Sequence, residues 1–180
     1  EEGQIMALEL RSCDVGPWGT HAYALICSET NESVLIDPGN EPDKLTEMLA
    51  DSNATAIWVT HTHMDHVDAL DEMKARLGVP VLARPGVRGG AISRQISPDE
   101  GIDDGDRLQV GNTMVDVIHT PGHSDDMLCF MIENDDRITI FSDQQIKNAF
   151  NDYADKKEIE FRIKTVEDKK ANTSINNGII

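Results

Sequence analysis

The segment Thr60-His61-Thr62-His63-Met64-Asp65-His66 places three imidazoles and a carboxylate within six residues, directly after the apolar run Ile57-Trp58-Val59. In extended backbone, residues i and i+2 project to the same side, so His61 and His63 can grip one ion together. A helix starting at Asp65 would offer Asp65 and His66 to a neighbouring position, and Asp65 is also placed to cap that helix. The switch from a buried strand to a helix is where α/β sheets carry their sites. Imidazole and carboxylate at this density select a borderline cation such as Zn²⁺ over Mg²⁺ or Ca²⁺, which favour oxygen ligands.

A second group, His119-Thr120-Pro121-Gly122-His123-Ser124, follows another strand-like run. One histidine from it would complete a three-histidine site and leave a fourth position for water, as catalytic zinc requires. Spacing alone does not choose between His119 and His123, since a Pro-Gly turn can aim either. Asp143, after the apolar run Ile138–Phe141, is placed to bridge two ions or to complete one site. Asp37, in Leu35-Ile36-Asp37-Pro38-Gly39, is a candidate to orient a ligand histidine, or else to open an Asx turn. His21 reads as a strand residue with an ordinary hydrogen bond, and Trp18 as partly buried packing.

The surrounding pattern is one of short apolar strands and two helices. Strands are predicted at Ile5–Leu10, Ala22–Cys27, Val34–Asp37, Ile57–Thr60, Val79–Ala83, Arg107–Val110, Met114–His119, Met127–Ile132 and Ile138–Phe141. One helix is predicted from Asp43 to Ala50. The other begins at Asp65 and carries Val67, Leu70, Met73 and Leu77 on one face, with Gly78 as its left-handed stop. Strand, helix, strand in that order implies a right-handed crossover between parallel strands. Residues 84–106, broken by glycine and proline, read as a loop at the rim of a site. Two segments follow from these contrasts: a domain over residues 1–145, and an atypical tail over 146–180 in which Ile159, Phe161 and Ile163 alternate like a half-buried strand.

With 180 residues the chain suits one domain with a real core. Sixteen Lys+Arg against 33 Asp+Glu give a net charge of −17, which argues against nucleic acid or an anionic membrane as partner and leaves a small-molecule substrate. No stretch approaches the roughly 18 apolar residues of a membrane span. The start, Glu1-Glu2-Gly3-Gln4, has no secretory pattern. Cys13, Cys27 and Cys129 are odd in number and widely spaced, as expected of buried free thiols in a reducing, cytoplasmic setting.

His61-x-His63-x-Asp65-His66, the Asp37-Pro38-Gly39 turn, Thr120-Pro121-Gly122-His123 and Asp143 together resemble the metallo-β-lactamase superfamily, most closely its glyoxalase II-like hydrolase branch. The resemblance spans roughly residues 5 to 145. It implies an α/β fold, an αββα sandwich with metals at one edge of its two sheets. It also implies that His123 rather than His119 is the third ligand beside His61 and His63, with Asp65, His66 and a bridging Asp143 around a second metal. Two departures stand out. Ser142 precedes Asp143 where the family has glycine, and no histidine follows His123, where the family's second metal takes its last ligand. The C-terminal part is therefore expected to be truncated or divergent, and zinc to bind tightly at the first position and more weakly at the second. The activity implied is hydrolysis of an ester, thioester, lactone or β-lactam by zinc-activated water, with Asp65 as the catalytic carboxylate orienting the nucleophile. The alternatives are a sulfur dioxygenase of the same superfamily, with Fe²⁺ on His61, His123 and Asp143, or a catalytically weak metal-binding scaffold.

Overall fold

Around residues 22–27, 34–36 and 56–59 the strands are apolar on both sides, and the two sides feed two different cores. Tyr23, Leu25 and Cys27 enter one cluster, whereas the intervening Ala22, Ala24 and Ile26 enter another. Val34 and Ile36 likewise separate from Leu35, and Ala56 and Trp58 from Ile57 and Val59. A period of two with both faces buried requires a sheet covered on both sides.

The structure is a computed structural model that describes residues 8–86, 89–134 and 137–141. The strands are β1 (Leu8–Val15), β2 (Thr20–Cys27), β3 (Glu32–Ile36), β4 (Asn53–Trp58), β5 (Val81–Ala83), β6 (Glu100–Gly101), β7 (Arg107–Val110), β8 (Thr113–His119), β9 (Leu128–Asn134) and β10 (Arg137–Phe141). Helices are α1 (Pro42–Met48), α2 (Met64–Val67) and α3 (Leu70–Leu77). Strands β1 to β6 form one sheet in sequence order, and a second has the order β10-β9-β8-β7. Pairing is antiparallel through β1, β2 and β3, then parallel through β4, β5 and β6, as the strand–helix–strand pattern implied.

The first core lies between the sheets, where Trp58 and Phe130 meet with ring centroids 5.0 Å apart. The second lies between the first sheet and the helices, built from Leu35, Ile57 and Val59 against Leu45, Val67, Leu70 and Met73. Helices, sheet and sheet are thus three layers of the sandwich. Among the described residues no helix is long and apolar enough to cross a membrane.

Several sequence expectations are corrected. The helix predicted as one piece from Asp65 is broken into α2 and α3. Ala69 N–H donates to Pro38 O (3.0 Å) instead of to the carbonyl of Asp65 one turn back, so the helical ladder is interrupted by the turn after β3. It restarts with Met73 N–H on Ala69 O and ends at Gly78, whose φ of 67° is the expected left-handed cap. Residues 84–106 are not wholly a loop: Glu100 and Gly101 pair in parallel with Leu82 and Ala83. Two residues joined through backbone alone leave no side-chain pattern to read. The first strand continues to Val15 rather than stopping at Leu10, because every residue to that point pairs with β2. Trp18, at the β1–β2 turn, is 76% exposed rather than packed. Cys27 and Cys129 are buried, as expected, and Cys13 is only half-buried. The strand expected around Phe161, the 146–180 segment and Asp143 lie outside the described residues.

Candidate metal centre

Strand β4 sits in the middle of its sheet, so the chain leaving it carries Thr60, His61 and Thr62 out while they are still almost fully buried. Strand β8, in the facing sheet, ends at His119 and delivers the turn with His123 to the same edge. His61, His63 and His123 present ring nitrogens that all lie within 4.8 Å of one another. Their ring centroids are 4.6 to 5.0 Å apart, and each pair of rings meets nearly at right angles, at 71° to 78°. His61 and His63 project to one side as the i, i+2 spacing requires.

Three features prepare these rings for a cation. The Nε2 of His123 is buried with no hydrogen-bond partner among the described residues. A buried polar atom left this way costs about 1–3 kcal/mol, a penalty that a metal bond removes. Burial, helped by neighbouring His123, pushes the pKa of His63 below its ordinary 6.5, so the ring is neutral at pH 7, the form that ligates. The Nδ1 side of His61 is fixed by a relay: Thr60 gives its hydroxyl proton to Asp37 Oδ2 (2.6 Å), so the 2.9 Å contact between Thr60 Oγ1 and His61 Nδ1 is donated by the ring. That tautomer directs the Nε2 lone pair of His61 toward the cluster.

Asp37 organises more than His61. It is 2% exposed, and its Oδ1 accepts the Thr60 N–H at 2.8 Å. Its Oδ2 also lies 2.9 Å from His66 Nδ1. The carboxylate therefore orients His66 as well. Asp37, His61 and His66 also present ligand-type atoms within 4.8 Å, but three accepted hydrogen bonds already occupy this carboxylate. Asp37 holds a φ of 54°, a left-handed conformation uncommon outside glycine and stabilised here by those same contacts.

Asp65 and His66 lie side by side, with His66 Nε2 3.6 Å from Asp65 Oδ2. Asp65 does not cap the helix: His63 occupies that position, and the Asp65 carboxylate instead accepts a hydrogen bond from Thr20 Oγ1 at 2.8 Å. The approach depends on Gly39, where a Cβ would stand 1.8 Å from Asp65 O. His119 is outside the cluster. Its backbone N–H is accepted by Asp104 and its Nε2 bonds the carbonyl of Asp125 at 2.8 Å. His21 pairs with Asp14, 2.5 Å away on the neighbouring strand.

Two residues essential to this arrangement were not singled out in the sequence. Asp126, 2% exposed, accepts the Thr62 N–H at 2.8 Å and the Ser124 hydroxyl. Its signal is a carboxylate immediately before the apolar run Met127–Phe130, the mirror of Asp37 after β3. Arg94 donates its backbone N–H to Thr62 O (2.8 Å) and its guanidinium to Val67 O (3.0 Å) and Asp71. Together with the His63–Ser93 bridge, this lays residues 92–94 along the histidine segment.

The family model described as the metallo-beta-lactamase superfamily matches residues 15–138 of this chain. The chain belongs to the metallo-beta-lactamase superfamily. Members of this superfamily bind zinc or iron and are mostly metallo-hydrolases. The chain is 29% identical over 147 residues to the probable metallo-hydrolase YqgX of Bacillus subtilis, covering 73% of this chain and 69% of that one. It is 27% identical over 141 residues to a probable hydroxyacylglutathione hydrolase of Schizosaccharomyces pombe, covering 75% of this chain and 52% of the relative. The crystal structure of TTHA1623 in a di-iron-bound form superposes with a TM-score of 0.63 at 25% identity, over 86% of this chain and 90% of the other.

Proposed function

We propose that this chain is a metal-dependent hydrolase of small-molecule esters, thioesters, lactones or β-lactams, with His61, His63 and His123 holding its first metal ion. The observation that carries the reading is the meeting of three imidazoles from two sheets, with the His123 Nε2 buried and lacking any other partner among the described residues. The donor set suits zinc, with iron as the alternative. A zinc ion there supplies a Lewis acid and a source of hydroxide at neutral pH.

The chain's own residues do the rest. Asp65, anchored by Thr20, presents a carboxylate that can accept a hydrogen bond from the attacking nucleophile and orient it. Asp65 and His66, with Asp143 from beyond the described residues, are the groups proposed for a second and weaker ion. Asp37 keeps His61 and His66 in the tautomers that leave Nε2 available. The charge of −17 favours neutral or weakly charged substrates over polyanions. Likeness to a probable hydroxyacylglutathione hydrolase supports taking thioesters as the first candidates to test.

The test is a hydrolysis panel on chelator-stripped protein, before and after adding back Zn²⁺ or Fe²⁺. The panel holds an S-acylglutathione thioester, an aryl ester, a lactone and a β-lactam. Turnover of at least one substrate, restored by metal and absent in His63→Ala, is the expected result. Full metal loading without turnover of any of them would refute a hydrolase. Iron content with oxygen uptake on a persulfide would mark the dioxygenase reading instead.

A further inference from the structure

We propose that Asp126 is a positioning residue whose carboxylate ties the two histidine segments together and so sets the spacing of the three imidazoles. The inference rests on the metal reading above. Thr62 lies between His61 and His63, and Ser124 follows His123. One oxygen of Asp126 accepts the Thr62 N–H at 2.8 Å, and the other accepts the Ser124 hydroxyl. The two anchored segments are 62 positions apart and come from different sheets.

The energetics point the same way. A carboxylate that is 2% exposed is costly to bury and is retained only where donors compensate it. Both of its named donors flank candidate metal ligands. The opposite edge of Thr62 is held as well, its carbonyl accepting Arg94 N–H at 2.8 Å, while Leu128 N–H bonds Thr60 O at 2.8 Å. The Leu128–Thr60 bond joins the two sheets below the site, and the Arg94 bond fixes the 92–94 segment against Thr62. At the level of the rings themselves, Asp126 supplies a direct link between the segments. Ligand spacing must hold within about 0.5 Å for a tight site, so loosening this link lets the His123 turn drift from the His61–His63 pair.

The experiment measures Zn²⁺ affinity by competition with a chromophoric chelator, alongside circular dichroism and melting of the metal-free proteins. The set is wild type, Asp126→Ala, Asp126→Asn and Ser124→Ala. Asp126→Ala is expected to weaken Zn²⁺ binding about 10- to 100-fold with the metal-free fold retained. Asparagine keeps an oxygen for Thr62 N–H and an amide that can donate to Ser124 Oγ, so Asp126→Asn is expected to recover most of the affinity. Ser124→Ala removes one arm and is expected to weaken binding several-fold. Wild-type affinity in Asp126→Ala overturns the proposal, and so does an equal loss in Asp126→Asn, which would make charge rather than geometry the operative property. Should Asp126→Ala fail to fold, Ser124→Ala decides: weakened binding supports the tie and unchanged binding overturns it. A wild-type protein that binds no Zn²⁺ overturns the metal reading and this inference with it, an outcome distinct from the others.

Discussion

Replacing Gly39 by alanine sets a methyl carbon against the backbone that carries two candidate ligands. The added Cβ would lie 1.8 Å from Asp65 O and 3.3 Å from Val15 Cγ2. Real Cβ atoms essentially never approach closer than 3.0 Å, so the turn after β3 and the start of α2 must part by about 1.2 Å. Neither side yields easily. Gly39 N–H is bonded to Asp37 O, Pro38 O holds Ala69 N–H, and Asp37 holds His66. Overpacking of this kind costs about 1–3 kcal/mol. At 2–4 °C per kcal/mol for a chain of this size, the melting temperature is expected to fall by roughly 2–12 °C. A shift above 1 Å also exceeds the ~0.5 Å tolerance of a ligand set. The affinity for a second equivalent of Zn²⁺, assigned to Asp65 and His66, is therefore expected to drop more than 10-fold while the first equivalent is retained. The control is Gly78→Ala, where φ is 67° and no atom lies within 4 Å of the new Cβ. That change is expected to cost about 1 kcal/mol through backbone strain, with both metal affinities intact. Calorimetric Zn²⁺ titration and thermal melts of the two variants read both effects. Wild-type melting and binding in Gly39→Ala would refute the steric argument.

Three further outcomes are expected. His123→Ala abolishes tight Zn²⁺ binding while His119→Ala retains it, because His119 is engaged by Asp104 and Asp125; elemental analysis of both variants checks this, and the reverse pattern would sink the ligand assignment. Asp37→Ala leaves the Thr60 N–H, the Thr60 hydroxyl and the His66 ring without their acceptor, and denaturant melts should show a loss of about 3 kcal/mol or more. The Asp103 carboxyl is held below its ordinary pKa, first by the Arg84 guanidinium and then by Asp104 N–H. A depressed acid stabilises the fold above the unfolded value near pH 4 and loses that contribution as pH falls further. The stability gap between wild type and Arg84→Met should thus be full at pH 6 and close below about pH 4. A gap independent of pH would remove the ion pair from the account.

The histidine segment was legible because its geometry is local: extended backbone places His61 and His63 on one side whatever surrounds them. Asp37 was legible for a related reason, since a carboxylate at the end of a buried strand must find donors, and Thr60 and His66 supply them. The choice between His119 and His123 was not local. It depends on Asp104, fifteen positions earlier, which accepts the His119 N–H and holds that residue aside, and only resemblance to a family favoured His123. Asp126 escaped notice because it acts on a backbone N–H, and every residue but proline offers one. The break between α2 and α3 was invisible in the apolar spacing of Val67, Leu70 and Met73, since its cause is Pro38, thirty-one positions earlier. β6 was hidden because a two-residue edge strand is held by main-chain bonds alone. In each case the unreadable part is a contact between segments distant in sequence.

His61, His63 and His123 are proposed to hold one metal ion. Anomalous diffraction at the zinc and iron edges, from crystals of protein purified without added metal and then soaked in Zn²⁺, tests it most directly. The expected result is a peak about 2.0–2.1 Å from one ring nitrogen of each of the three histidines. A peak on His119 or on His21 and Asp14, or no peak within reach of His61, His63 and His123, would contradict the claim.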